Sequence, residues 1–231
     1  MYYDTRNPYD PLPDETPEAL ARMQQRIERS RQAIRDILPR LRELIEDPKR
    51  DPEDVYQALR PYHLQVREVP MTPADTPELE ALCRLVLEKG GLEQNNIQRV
   101  LLSLVAATAA RESTAFLVEM FHYSRRGDHF GPERRQLALW GLARIAIAHN
   151  VPEAYAALRE GMDDRRAEVR YTAADLILNA YLDARREVPS AVVARLREMA
   201  EMDSDKDVRR AAWRYLREPW AKKQQEGGKH D

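Results

Sequence analysis

The sequence predicts an all-α protein, an α-α superhelix preceded by a long kinked helix that caps it. Three observations support this fold class. Proline stands near the start of one amphipathic stretch after another, in TPEA, DPED, TPEL, GPER, VPEA and VPSA, and proline in the first turn is typical of helix starts. A motif of two-helix length recurs in the C-terminal half. The strand-like stretch PYHLQVREVP lies isolated between two prolines, so we interpret it as an extended connector.

The composition is typical of an ordered chain, with 43 % hydrophobic residues, 33 % charged residues and 8 glycines among 231 residues. One elongated repeat domain is therefore expected rather than several compact ones. We divide the chain into a disordered arm at residues 1–15, a helical cap and connector at 16–74, a repeat array at 75–218 and a polar tail at 219–231.

The arm is rich in Tyr, Asp, Asn and Pro and has no hydrophobic period, which predicts disorder. Tyr2, Tyr3 and Tyr9 fit side chains that anchor the arm in a partner, because tyrosine is frequent at interface hot spots. They fit a flexible end without a binding role equally well, and the residues leave this open.

Apolar side chains at three- and four-residue spacing predict one amphipathic helix after the arm. The stripe consists of Leu20, Met23, Ile27, Ser30, Ile34, Ile37, Leu41 and Leu44. Pro39 lacks a backbone donor, so we expect the helix to kink or restart near Leu38. The stripe fits a cap over the repeats or a self-dimerising helix, and the need to cover the end of a repeat array favours the cap.

Three stretches superimpose as repeats, beginning at Glu133, Glu168 and Asp207, with periods of about 35 and 39 residues. The matching positions are Arg135, Arg170 and Arg209, then Ala138, Ala173 and Ala212, then Leu142, Ile177 and Leu216. Small side chains at the alanine positions allow neighbouring helices to approach closely. Each unit then leaves an apolar face that its neighbour covers.

The segment VPEAYAALREGMDDRRAEVRYTAADLIL contains a helix that begins with Pro-Glu-Ala, an acidic turn, and a helix that begins near Val-Arg and is rich in alanine. This combination resembles the HEAT-repeat family. The resemblance is to the short bacterial variety related to bilin-lyase repeats, and it covers Gly131 to Glu218, with a degenerate earlier unit around Arg99. It implies a curved stack in which acidic and Arg residues form a ladder between units. The candidates for that ladder are Arg135, Arg170 and Arg209, with Asp163, Asp164, Asp203 and Asp205.

The resemblance also implies that the second helix of each unit lines a concave, partner-binding surface. The candidate second helices are ESTAFLVEMFHYSR, PEAYAALREGM and PSAVVARLREMAEM. Their apolar positions, assigned to the core, are Leu117, Met120, Phe121, Leu158, Leu196 and Met199. The residues left facing outward are Glu119, His122, Arg159, Glu160, Arg197 and Glu198, whose mixed charge suits a polar protein interface.

The sequence carries no motif for metal, cofactor or nucleophilic chemistry, so we expect no catalytic residue, metal or cofactor. Cys83 has no second cysteine and lies in an apolar frame, which predicts an inert thiol. None of the histidines, which are His63, His122, His129, His149 and His230, is followed by Glu as in HEAT-like iron hydroxylases. EKGGLEQ lacks the Lys and Ser or Thr of a phosphate-binding loop. A non-enzymatic scaffold or adaptor is therefore the expected function.

The resemblance leaves two alternatives. Some alkylpurine DNA glycosylases use a HEAT-like solenoid lined by Trp, Asp and Arg, and here Trp140, Asp175 and Arg214 occupy equivalent repeat positions, with Trp213 nearby. Those positions lie on first helices, and the net charge of −2 argues against a nucleic-acid partner. A bilin lyase would require a tetrapyrrole pocket and a phycobiliprotein partner, for which the resemblance is the sole support.

Arginine doublets recur at residues 125–126, 134–135, 165–166, 185–186 and 209–210. If they converged on one edge, they would form a strip able to hold phosphate or an acidic partner. Most have Asp or Glu within three residues, which favours solvated turns with locally compensated charge. Whether the doublets converge is left open by the sequence.

The longest uncharged apolar run, Val100 to Ala110, is far shorter than the roughly 20 residues of a membrane span. The N-terminal residues MYYDTRNPYDPLPDE lack the basic start and apolar middle of a signal peptide. We therefore expect a cytoplasmic protein with a protein partner of unknown identity, no membrane partner, and either a monomeric or a homodimeric state.

Overall fold

A computed structural model describes residues 16–47, 49, 51–63, 71–89, 97–124 and 129–217. Within them the protein is all-helical, as predicted, and contains no strand. The α-helices are α1 (Pro17–Glu46), α2 (Pro52–His63), α3 (Thr76–Lys89), α4 (Ile97–Thr108), α5 (Thr114–His122), α6 (Gly131–His149), α7 (Pro152–Gly161), α8 (Ala167–Asp183), α9 (Ser190–Met202) and α10 (Lys206–Leu216). Two 3-10 turns, Pro73–Asp75 and Arg111–Ser113, precede α3 and α5.

Several predicted segments lie wholly or largely outside the described residues. They are the arm at 1–15, the polar tail at 219–231, and most of the connector, at 64–70. Residues 61–63 of the predicted connector belong to α2, so its first part is helical rather than extended. No helix among the described residues is both long enough and apolar enough to cross a membrane.

Helix α1 begins at a cap, where the Thr16 hydroxyl accepts a hydrogen bond from the Ala19 amide at 3.3 Å and proline occupies the first position. It continues through Pro39, which is exposed, so the restart expected near Leu38 does not occur. The expected kink stays a prediction. Arg35 binds Asp75 at 2.8 Å and Arg42 binds Glu78 at 3.0 Å, so α1 is joined to the start of α3.

The helices from α4 to α10 pack against one another. The first helices of the units, α4, α6, α8 and α10, contact one another in chain order, and the second helices, α5, α7 and α9, pack against them. Because α6 and α8 each have a neighbour on both sides and a second helix beneath, they are buried on almost every face. This explains why neither helix has the one-sided apolar stripe of a surface helix.

Small residues allow this close packing of helices. Ala138, Ala173 and Ala212 are all buried, as the repeat predicted. A Cβ atom added to Gly141 on α6 would lie 2.9 Å from the Ala106 Cβ on α4, and one added to Gly161 on α7 would lie 2.8 Å from the Ala173 Cβ. Both glycines therefore mark places where the backbones approach more closely than any larger side chain permits.

Candidate protein-binding surface

All six residues predicted to face outward from the second helices are exposed. They lie on three helices that follow one another in the array: Glu119 and His122 on α5, Arg159 and Glu160 on α7, and Arg197 and Glu198 on α9. We call this set the second-helix surface. The six positions assigned to the core of the same helices, from Leu117 to Met199, are buried.

An ion pair and a histidine–carboxylate contact join the second helices to their neighbours across this surface. Arg84 on α3 pairs with Glu119 on α5, and His122 Nδ1 lies 3.5 Å from the Glu160 carboxylate on α7. These pairs were not predicted from the sequence, although the sequence contains a signal for them. The partners have opposite charge, or a titratable imidazole, and stand about one repeat period apart in the sequence.

Arg195 makes the next link, from α9 back to the end of α7. Its Nε lies 2.8 Å from Asp163, an Nη atom lies 2.9 Å from Glu198, and another donates to the Met162 carbonyl at 3.0 Å. Because exposed pairs of this kind contribute roughly 0–1 kcal/mol, they orient surface side chains more than they hold the fold together. The second-helix surface therefore has a definite charge arrangement.

Arg159 and Arg197 differ from their neighbours, since they form no ion pair with the described residues. Both are exposed and both precede a glutamate, Glu160 or Glu198. A guanidinium that is not already engaged offers its planar set of donors to a carboxylate on another molecule. These two arginines are the strongest candidates for contact with a partner.

Arginine and aspartate form a ladder along the ends of the first helices, as the resemblance implied. Arg135 Nε lies 2.7 Å from Asp164, and Arg170 binds Asp203 through two parallel contacts of 2.8 and 2.6 Å. Each arginine thus reaches the carboxylate of the following turn. Arg170 also donates to the Asp164 carbonyl in the preceding turn, and Arg209 donates in the same way to the Asp203 carbonyl.

The other two aspartates proposed for the ladder have different roles. Asp163 pairs with Arg195 on the second-helix side, and Asp205 caps α10 by accepting hydrogen bonds from two amides in its first turn. In the degenerate unit, Arg99 pairs with Glu133 on the next first helix. Arg99 therefore also links successive first helices, with a glutamate in place of an aspartate.

Arg135 of doublet 134–135 and both arginines of doublet 165–166 line one cleft of about 430 Å³, while doublet 125–126 lies outside the described residues. The cleft is lined by Tyr123, Ser124, His129, Gly131, Pro132, Arg135, Arg165 and Arg166. Arg135 is paired with Asp164 and Arg166 with Glu168, so much of the charge is compensated locally. Doublet 185–186 lies at the other end of α8, so the doublets that the structure describes do not form one continuous strip.

Metal and thiol chemistry find little support among the described residues. They contain no group of three or more His, Cys, Asp or Glu side chains placed to hold a metal ion. Cys83 is buried on α3, and burial raises the pKa of its thiol. Since the thiolate is the reactive form, we expect the thiol to be unreactive in the folded protein.

Trp140 and Asp175, from the glycosylase-like set, are only 8 % and 7 % exposed, whereas Arg214 is exposed. The carboxylate of Asp175 on α8 accepts a hydrogen bond of 2.8 Å from the Tyr215 hydroxyl on α10. Burial raises the pKa of Asp175, although the Tyr215 hydrogen bond and the nearby Arg214 charge oppose the rise. This pair joins two first helices inside the protein and was not predicted from the sequence.

We expect Asp175→Asn to become more stabilising, relative to the natural chain, as the pH rises from about 4 to 7. The pKa of Asp175 is higher in the folded chain than its ordinary value of 3.8 in the unfolded chain. The protonated carboxyl therefore stabilises the fold fully below 3.8, and this stabilisation is lost as the pH rises through the folded pKa. Asparagine still accepts the Tyr215 hydrogen bond but never ionises. Urea unfolding across this range measures the difference, and a difference independent of pH would contradict the expectation. Tyr215→Phe removes a group that lowers the pKa and should widen the pH dependence of the natural aspartate.

Comparison with known proteins gave no significant match for this chain among family models, curated proteins or solved structures.

Proposed function

We propose that this chain is a non-enzymatic scaffold or adaptor that binds a protein partner through its second-helix surface. In this proposal the array is a HEAT-like α-α superhelix, and α5, α7 and α9 line its concave side. The observation that carries the proposal is the presence of Arg159 and Arg197 on successive second helices, exposed and without an ion pair to the described residues. Both belong to a surface of mixed charge, which suits a polar protein interface.

The buried ladder supports the proposal because it holds successive units in register. Arg135 with Asp164, and Arg170 with Asp203, join units through pairs whose side chains are at most 10 % exposed. Close backbone packing at Gly141 and Gly161 has the same effect. A rigid array keeps Arg159 and Arg197 at a constant separation, so a partner meets a preorganised pattern of charge.

We further propose that the chain acts in the cytoplasm of a bacterial cell. The resemblance to short bacterial repeats and the single cysteine, buried and unpaired, support this placement.

The double charge reversal Arg159→Glu and Arg197→Glu is expected to weaken partner binding by at least about tenfold, because carboxylates of the partner would then face like charges. The natural chain and the variant are used for affinity purification from the native host, and co-purifying proteins are quantified. The most depleted protein is then produced separately, and its affinity for each chain is measured by titration calorimetry.

The matched control is Arg29→Glu with Arg40→Glu, which reverses two exposed arginines on α1 instead. We expect it to bind the purified partner as the natural chain does. Thermal unfolding of all three chains verifies that each is folded. Equal affinity of the second-helix variant and the natural chain would refute the proposed surface.

A further inference from the structure

Helix α10 has one exposed face that is strongly basic. Its exposed side chains are Lys206, Asp207, Arg210, Trp213, Arg214 and Arg217. The opposite side, formed by Val208, Ala211, Ala212 and Tyr215, is buried against the rest of the array. Successive positions of an α-helix are about 100° apart, so the six exposed residues fall on one continuous strip. We call this strip the α10 face.

Trp213 occupies a repeat position that is covered in the earlier units. Its equivalents are Leu139 on α6 and Ala174 on α8, which are 0 % and 1 % exposed, whereas Trp213 is 45 % exposed. The second helix of the same unit covers Leu139, since a Cβ on Gly161 of α7 would lie 2.9 Å from Leu139 Cδ1. Among the described residues no helix follows α10 to cover Trp213 in the same way.

The ladder shows which chemical group is complementary to this end. Arg135 and Arg170 each bind an aspartate of the following turn, Asp164 and Asp203. Arg209 is their repeat equivalent, and it donates to the carbonyl of the preceding turn as Arg170 does. It forms no ion pair with any of the described residues. The ligand that completes the pattern at Arg209 is therefore a carboxylate, held beside the apolar ring of Trp213.

The geometry points to the α10 face as a second docking site, which binds an acidic segment of a partner protein that carries an apolar side chain. This inference is independent of the second-helix surface. The face has four exposed cations and one exposed carboxylate, Asp207, so its charge is complementary to that of an acidic segment. Trp213 is complementary to the apolar side chain of that segment. Arg209, at the edge of the face, binds one carboxylate of the acidic segment in the way that Arg170 binds Asp203.

Other occupants fit the charge less well. A second copy would place two basic α10 faces against each other, with repulsion between like charges. Residues 218–231, EPWAKKQQEGGKHD, contain three acidic residues and three lysines, so they offer no net complementary charge. Nucleic acid would extend beyond the four cations of the face onto a chain whose net charge is −2, whereas a short acidic segment would not.

The test uses a fluorescein-labelled peptide with the sequence of residues 197–207, REMAEMDSDKD. Within the chain, this segment contains the Asp203 that binds Arg170. The peptide has five acidic and two basic residues and two methionines. Fluorescence anisotropy with the full chain is expected to show saturable binding. We expect the affinity for the peptide to fall by about tenfold in each of two protein variants, Arg209→Gln and Trp213→Ala. A peptide with asparagine at the Asp203 position should bind the natural chain about tenfold more weakly.

Arg209→Lys keeps the charge without the forked donors and should restore only part of the affinity. Arg29→Gln, an exposed change on α1, should leave peptide affinity unaltered. Because Trp213 is half-exposed, its variant folds even if Arg209→Gln is destabilised, and thermal unfolding verifies both. A saturable interaction that depends on Trp213 and on the Asp203 position of the peptide supports the site.

Absence of binding up to about 1 mM peptide overturns it, as does equal binding of a scrambled peptide of the same composition. Binding that emerges only after removal of residues 218–231 would assign the face to the chain's own tail, against the inference. Self-association that Trp213→Ala abolishes would assign it to a second copy. Tighter binding of a DNA oligonucleotide than of the peptide would assign it to nucleic acid.

Discussion

Replacing Arg170 by alanine is expected to lower the free energy of unfolding by about 3–5 kcal/mol, because the change leaves a buried carboxylate without its partner. The side chains of Arg170 and Asp203 are 10 % and 4 % exposed, and their two contacts measure 2.8 and 2.6 Å. The Asp164 carbonyl loses its hydrogen bond from Arg170 at the same time. Urea unfolding near pH 7 measures the loss.

The matched control is Arg166→Ala, four residues earlier. Arg166 and Glu168 are 55 % and 43 % exposed, so breaking this pair should cost less than about 1 kcal/mol. Replacing Arg170 by Met together with Asp203 by Leu should be less damaging than Arg170→Ala alone, because no charge is left buried. If Arg170→Ala cost no more than Arg166→Ala, the ladder would not be a major source of stability.

The same pair predicts a loss of stability in acid. Burial raises the pKa of Asp203, but hydrogen bonds from Arg170 and the Asp205 amide, with the Arg170 charge, hold it below the ordinary value of 3.8. Its contribution is therefore present above that value and is lost as pH falls through the lower, folded pKa. The difference between the natural chain and Arg170→Ala should shrink in that acidic range.

Gly141→Val is expected to destabilise the protein by about 3 kcal/mol, through overpacking between α4 and α6. The first added atom would lie 2.8 Å from Leu117 Cδ1 and 3.0 Å from the backbone Cα of Ala106. A side chain can move aside, but a backbone atom cannot do so without separating the two helices. Thermal and urea unfolding measure the effect.

Ala148→Val provides the control, since it adds the same kind of side chain at an exposed position of α6. It should change the free energy of unfolding by less than about 1 kcal/mol, in line with helix propensity. Gly141→Ala should lie between the two variants, because improved helix propensity offsets part of its smaller clash. Equal stability of the two valine variants would mean that α4 and α6 have room between them.

Much of the architecture could be read from local pattern. The prolines of GPER and VPEA begin α6 and α7, and the alanines of the repeat are buried. The six outward positions of the second helices are exposed because a spacing of three and four residues places side chains on one face of any helix. Of the kink or restart expected near Leu38, the restart does not occur, because the exposed Pro39 is accommodated within an unbroken α1, and the kink stays a prediction.

The ion pairs between units could not be predicted from local sequence pattern in the same way. The repeat predicted four aspartates as candidates for the ladder. In the structure Asp164 and Asp203 pair with the ladder arginines, whereas Asp163 pairs with Arg195. Helical periodicity depends on neighbours within one or two turns of the chain, so it indicates which face of a helix is apolar. Which carboxylate meets an arginine some 30 residues away depends on turn geometry and helix separation. Packing of one unit on the next therefore selects the buried pairs, and it leaves Trp213 uncovered where Leu139 and Ala174 are buried.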